Sequence, residues 1–326
     1  MNYSSNACAS FKEITDWFIL SGIALIGIFL NILCVIVFSN TRLCKKSKEN
    51  ALFKFLLVKS YCDIMVLLEC LTKLFVKCKE CSFSGTYFIC LLSLITEDYF
   101  KQVFRMLSIL CQICSALYLL FRVKNINIRL TKSHLNQLLI ITFLVLSVML
   151  FYVYEFYEEK IVEVNENSGI YELVKTDFRY SQLNFYITLA QGVFRDIICV
   201  IVIFIINIFI LIEFNRIIVK KRSLAFINLN NRLDSFHGEN RETPPRQNEN
   251  KLRIIIKMVF YSSIQTIFGH LPLFFKYFSI FKENKCFVQV SKLFYVLSVS
   301  LQFFIYYFFN NVFKSNIHQT FSNLTY

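Results

Sequence analysis

The chain has 326 residues, 56% hydrophobic and 17% aromatic, with 37 Phe but only 7 Gly and 3 Pro, and a formal charge of +13. Soluble domains sit near roughly 45–50% apolar, so this composition argues against an ordinary soluble domain, and so few turn-formers argue for long helices over a strand-rich fold. The basic charge would suit nucleic acid on a soluble protein; here Lys and Arg fall between apolar runs, where they set topology at a membrane instead.

Crossing a bilayer as a helix takes about 20 apolar residues. Residues 1–16 form an N-terminal segment, acidic and rich in Ser and Asn where a signal peptide would be basic, and Asn2-Tyr3-Ser4 makes Asn2 a glycosylation candidate. Seven candidate spans follow within 17–309: 17–39, 51–76, 94–121, 135–156, 183–213, 253–277 and 287–309. Segment 82–96 reads as an outer loop leading into the third span, 228–250, with Pro244-Pro245, as a disordered loop, and 310–326 as a tail carrying a short amphipathic helix. The expected fold is all-α, a seven-transmembrane helix bundle. With the N-terminus outside, eighteen Lys and Arg near the span ends lie inside and eight outside, which predicts an extracellular N-terminus and a cytoplasmic tail.

Charges inside spans are costly and mark function by default. The third span carries Glu97, Asp98, Lys101, Gln102, Arg105, Ser108, Gln112 and Ser115, most of them on one helical stripe that must face the bundle interior. Internal pairing of Glu97 with Lys101 is the bland alternative; Arg105 has no acid one turn away in its own helix. The second span holds Lys59 and Asp63 at i, i+4, with Asp63 near its middle. Asn31, Asp63, Ser108, Ser298 and Gln302 fall at similar depth and form a candidate cluster for a cation. Arg195 and Asp196 occupy the fifth span, and His270 precedes Pro272 in the sixth.

The run Gln302-Phe303-Phe304-Ile305-Tyr306-Tyr307-Phe308-Phe309-Asn310-Asn311-Val312-Phe313-Lys314 resembles the pattern N-P-x-x-Y-x-x-F-N-x-x-F-R/K of the rhodopsin-like (class A) G-protein-coupled receptors, matching at Tyr306, Phe309, Asn310, Phe313 and Lys314. Asn31, Asp63 and Gly269-His270-Leu271-Pro272 resemble that family's polar positions and hinge, with His270 where Trp is usual. The chain resembles its divergent invertebrate orphan and chemosensory-type receptors. Registered by Ser108, the D-R-Y position reads Tyr118-Leu119-Leu120, and Arg122 one turn on is the substitute. The resemblance implies a sodium ion near Asp63 and a heterotrimeric G protein as partner; the spans carry no paired His/Asp metal arrangement or nucleophile constellation, so no enzymatic activity is expected. It places ligand contacts at Glu97, Asp98, Lys101, Gln102, Arg105, Arg195, Asp196 and His270. Lys101, Arg105 and Arg195 suggest an anionic group on that ligand, such as a peptide carboxylate. Arg122, Lys220, Lys221, Arg222, Arg253, Lys257, Tyr306 and Phe313 fall on the G-protein side, where lipid contact explains the Lys220–Arg222 cluster equally well. Cys8, Cys78, Cys81, Cys90 and Cys286 lie outside and are disulfide candidates, Cys8 with Cys286 and Cys90 with Cys78 or Cys81. The expected location is the plasma membrane, with no nucleic-acid partner and no structural metal. The alternatives are an ion channel or transporter, or an insect-type chemoreceptor channel with its N-terminus inside.

Overall fold

A computed structural model describes residues 14–39, 50–76, 86–124, 134–164, 169–234, 246–275 and 284–324. The described chain is helical except for one hairpin. Six helices are long and apolar enough to cross a bilayer, which makes this an all-α, multi-pass membrane protein.

Helix α1 (Leu20–Ser39) continues a π-helical turn, Thr15–Ile19. Helix α2 (Asn50–Val76) spans about 40 Å at 1.5 Å per residue. It is the long helix outside the set of six because Lys54, Lys59, Asp63, Glu69 and Lys73 interrupt its apolar sequence. Its main packing partners are α1 and α3, and it turns Lys59, Asp63 and Glu69 inward while Tyr61, Met65 and Leu68 face out. The charges that weaken its hydropathy thus lie on the packed face.

Helix α3 covers Tyr87–Val123. The Thr86 hydroxyl accepts a hydrogen bond from Ile89 N–H (3.4 Å) and caps its first turn. The expected loop 82–96 is therefore helical from Tyr87 onward, because an apolar run with its own cap extends the helix at its hairpin end. A π-helical stretch, Leu94–Phe100, interrupts α3; the side chains of Glu97 and Asp98 within it lie outside the described residues. Helix α4 (His134–Phe151) leaves Leu139, Phe143, Leu146 and Leu150 exposed on one stripe, which lipid would cover. A 3₁₀ turn, Val153–Tyr157, ends it.

Strands β1 (Glu159–Glu163) and β2 (Tyr171–Lys175) pair antiparallel, with Glu159 opposite Lys175. Gly169 in the connecting turn has φ 63°, a conformation open to Gly at little cost. This hairpin occupies most of the acidic segment 155–177, where the sequence suggests only a loop. Arg179 ties its base to Glu158 (3.7 Å) and Glu159. Cys90 is buried, and its thiol donates to the Tyr171 carbonyl on β2 (3.3 Å). Cys90 is a free thiol, so its expected pairing with Cys78 or Cys81 is corrected: the hairpin strand takes the space beside it. Cys286 is disulfide-bonded, and Cys8, Cys78, Cys81 and Asn2 lie outside the described residues.

Helix α5 runs from Gln182–Val193 through a π turn, Phe194–Ile198, into Cys199–Asp234. Helix α6 is Arg246–Phe275. Both ends of the 228–250 segment, expected to be disordered, are helical, and 235–245 lie outside the described residues. Helix α7 (Lys285–Ser300) starts on an Asn284 cap, steps at Leu301 and resumes as Gln302–Phe309. Asn310 leaves the helix in an extended conformation, and its side chain accepts from Phe313 N–H (3.0 Å). That cap starts α8 (Asn311–Leu324), the expected helix after the last span, which buries Phe313 and Ile317. Tyr306 and Phe313 both pack on Phe38 of α1, with ring centroids 5.1 and 5.4 Å away. The matched string in the seventh run therefore has a physical content: two aromatic anchors and a helix cap between them.

Close approach of α1, α2 and α7 depends on Gly27. A Cβ there would collide with Ser300 Oγ and sit 2.9 Å from Leu67 Cδ1, whereas at Gly22 nothing lies within 4 Å. Gly27→Ala is expected to cost about 1–3 kcal/mol through overpacking. Gly22→Ala should be neutral or slightly stabilising. Thermal melting of the two variants in detergent, followed side by side, checks the pair; equal melting points would refute the close approach.

Candidate functional site

The polar side chains of the bundle fall in three layers between the hairpin end and the α8 end. The layer nearest the hairpin surrounds a cavity of about 380 Å³, a typical size for a ligand pocket. Its wall takes Gln102 from α3, Tyr152 and Glu155 from the turn after α4, Thr188 and Arg195 from α5 and Val288 from α7. The π turn of α5 explains how neighbouring residues Arg195 and Asp196 both face inward. An ideal α-helix separates consecutive side chains by about 100°, and the extra residue of a π turn re-aims them; both are buried.

Arg195 grips Asp196 through Nε to Oδ1 and Nη2 to Oδ2, each 3.0 Å, and donates from Nη1 to Gln102 Oε1. His270 Nδ1 donates to Asp196 Oδ1 at 2.9 Å, since the carboxylate can only accept. One guanidinium–carboxylate pair thus connects α3, α5 and α6. The network meets α6 two residues before Pro272, whose carbonyl accepts from Ser291 of α7 (3.1 Å). Here α6 and α7 touch closely, because a Cβ on Gly269 would run into Ser298 Oγ. At the cavity's far wall the Tyr154 hydroxyl bonds Glu155 Oε1 (2.8 Å) and Gln191 Oε1 (2.5 Å). Gln191 Nε2 in turn donates to the Phe151 carbonyl (2.8 Å), which fixes the turn after α4 to α5. Tyr152 Oη lies beside Arg195 and lines the same cavity.

Of the sequence-expected ligand contacts, Gln102 and Arg195 line the cavity, and Asp196 and His270 lie in the hydrogen-bonded layer behind it. Lys101 instead pairs with Glu69 of α2 (3.1 Å). Arg105 stacks over the Tyr295 ring of α7, with Cζ 4.0 Å from its centroid.

The middle layer centres on Asp63. Lys59 Nζ lies 2.6 Å from Oδ2 and Ser108 Oγ donates to Oδ1 at 2.6 Å. The other three members of the expected five-residue cluster bond elsewhere. Asn31 donates to the Gly27 and Val299 carbonyls, Ser298 to the Tyr295 carbonyl, and Gln302 to Ser262 and Tyr306. A nearby backbone carbonyl takes the donors of Asn31 and Ser298, so equal depth did not become contact.

The third layer was not foreseen. Gln112 of α3 donates to Ser263 Oγ (3.1 Å) and accepts from Ser262 Oγ (3.0 Å), both on α6. Gln302 of α7 donates to Ser262 Oγ and to the Tyr306 hydroxyl (2.9 Å). All five residues are buried. Gln112 stood on the third span's polar stripe; Ser262 and Ser263 gave no signal, since single Ser residues in an apolar run are common. Beyond this layer, towards α8, the residues assigned to the G-protein side divide. Arg122 is half-buried at the end of α3, and Lys220, Arg253 and Lys257 are exposed. Tyr306 and Phe313 are core residues, and the Lys221 and Arg222 side chains lie outside the described residues. Lys124, two residues after Arg122, pairs with Glu213 of α5 (3.7 Å). The sequence matches no protein-family model and no curated protein.

The middle layer gives a direct test of buried pairing. Lys59→Met leaves Asp63 uncompensated and is expected to destabilise the protein by about 3–5 kcal/mol. Lys59→Met with Asp63→Leu should recover most of that loss, because removing both partners leaves no orphaned charge. A double-mutant cycle in thermal denaturation measures the coupling; strictly additive losses would sink the pairing.

Proposed function

We propose that the chain is a divergent receptor of the rhodopsin-like G-protein-coupled class. In this reading α2 is a seventh span, the hairpin end and the N-terminus face outward at the plasma membrane, and α8 lies along the cytoplasmic surface. One observation carries the reading. A ligand-sized cavity at the hairpin end has Arg195 in its wall, and Arg195 leads through Asp196 and His270 into α6 beside Pro272. A ligand that rearranges Arg195 acts on the helix whose opposite half is held by Gln112. Two arrangements of α6 with different ligand affinity are all that transduction requires. The opposite half of α6, with Arg253 and Lys257 exposed, then meets a heterotrimeric G protein.

A sodium ion at Asp63 belongs to the same reading. To reach the carboxylate it must displace the Lys59 ammonium, and sodium-dependent ligand affinity that disappears in Asp63→Asn would reveal it. The channel alternative draws on the polar faces of α2 and α3; in the described residues those faces are tied across the bundle by Lys101–Glu69 and Ser108–Asp63.

The test is G-protein activation in cells expressing the full chain, challenged with ligand libraries. Arg195→Ala is expected to lower potency at least tenfold, since truncating one member of a buried hydrogen-bonded charge pair costs about 2–5 kcal/mol. Lys101→Ala, outside the cavity wall, should have a smaller effect. Gln112→Leu removes the α3–α6 bonds at similar volume and is expected to raise ligand-independent signalling. Ligand-gated current without G-protein dependence would replace the receptor with a channel. A tag at residue 1 inaccessible on intact cells would reverse the orientation.

A further inference from the structure

We propose that Arg105 is the seat of a monovalent anion inside the bundle, either chloride or the carboxylate of a bound ligand. The proposal rests on the receptor reading only for the second of these sources.

The argument is one of charge. The cations Lys59, Lys101 and Arg195 each have a carboxylate: Asp63 at 2.6 Å, Glu69 at 3.1 Å and Asp196 at 3.0 Å. Four carboxylates are buried among the described residues, those three and Glu155, which bonds Tyr154 on the far wall of the cavity. None forms an ion pair with Arg105. Its side chain is nonetheless buried, with the residue 6% exposed. Its Nε makes no hydrogen bond among the described residues, and Tyr295, against which its guanidinium sits, offers a ring face and a hydroxyl but no charge. A ring face attracts a cation less strongly than taking the ion out of water disfavours it, so the ring leaves a deficit that an anion would meet.

The surroundings suit a single negative charge. Arg105 lies one turn deeper than Gln102, on the same face of α3, beneath the cavity wall. Tyr295, the ring beneath Arg105, also meets the His270 ring at 5.1 Å, and Asp196 is already engaged by Arg195 and His270. One uncompensated guanidinium matches one negative charge; a dianion would leave a net charge buried in its place. A planar guanidinium binds a carboxylate in a bidentate fork and a halide between two N–H groups. The anionic character inferred from Lys101, Arg105 and Arg195 together thus comes down to Arg105, because the other two cations are engaged by Glu69 and Asp196.

The experiment is thermal denaturation of the purified full chain in detergent. Wild type and Arg105→Met are titrated with sodium chloride, sodium acetate or sodium benzoate at matched ionic strength. Wild type should show a saturable rise, on the order of 5 °C at a hundredfold excess over the dissociation constant. Arg105→Met should show none, and without added anion it should melt above wild type, because it lacks the uncompensated charge. A rise with chloride alone identifies a resident halide; a rise with the carboxylates at lower concentration identifies the seat of an acidic ligand. No rise in wild type, or equal rises in both proteins, overturns the proposal. If Arg105→Met does not fold, Arg105→Gln, which keeps a polar donor and loses the charge, takes its place in the same comparison. The measurement involves no G protein, so failure of signalling with the anion shift intact would count against the receptor reading and leave this one in place.

Discussion

A charged side chain at the centre of a membrane helix costs about 2.5–3.5 kcal/mol on insertion scales, and α2, α3 and α5 carry Lys59, Asp63, Glu69, Lys101, Arg105, Arg195 and Asp196 buried or half-buried. The bundle is organised around meeting that cost. Lys59 answers Asp63 within α2, Lys101 answers Glu69 between α2 and α3, and Arg195 answers Asp196 within α5. Ser108 and Gln102 then bring α3 onto these pairs as hydrogen-bond partners. The polar pairs fix which faces of α2, α3 and α5 turn inward, and the apolar clusters fill the space they leave.

This constraint also explains what α2 is doing beside five charged residues. As an isolated helix it would be a poor candidate for a bilayer. Held between α1 and α3 it exposes Tyr61, Met65 and Leu68 and buries the charges at 59, 63 and 69. Hydropathy averages around the helix, whereas the membrane meets only one face.

Much of the helical plan was legible in the sequence because apolar runs of sufficient length and a helical stripe of charge are one-dimensional signals. The stripe through 101, 105, 108, 112 and 115 lies inward as its spacing requires. Partners across helices were not legible. Lys101 reaches Glu69 on another helix, and Gln302 reaches Ser262, contacts that depend on helix rotation and no residue count reveals. The π turns were equally hidden, yet one of them decides that Arg195 and Asp196 face the same way. The hairpin was missed because its strands are short, acidic and only half-buried, so they lack the alternation of a packed sheet. Cys90 was misassigned because sequence supplies the number of outward thiols but not their directions.

The two networks that cross from α3 to α6 differ in kind, and the difference bears on motion. The one at the hairpin end is ionic: His270 of α6 holds a carboxylate that Arg195 also holds, so moving α6 there disturbs a buried charge pair. The one towards α8 is neutral: Gln112 meets two hydroxyls, each bond worth about 0.5–1.5 kcal/mol net. Ser263 also donates to the Val259 carbonyl (2.8 Å), so its hydroxyl keeps a partner when Gln112 withdraws. The contact between α6 and α3 is thus a buried charge network at the hairpin end and a neutral hydrogen-bonded one at the α8 end. With Pro272 on the charged side, α6 is held near the cavity by an ionic network, and at its other half by neutral hydrogen bonds to α3 and α7 together with the apolar packing of Ile255, Ile256, Met258 and Val259.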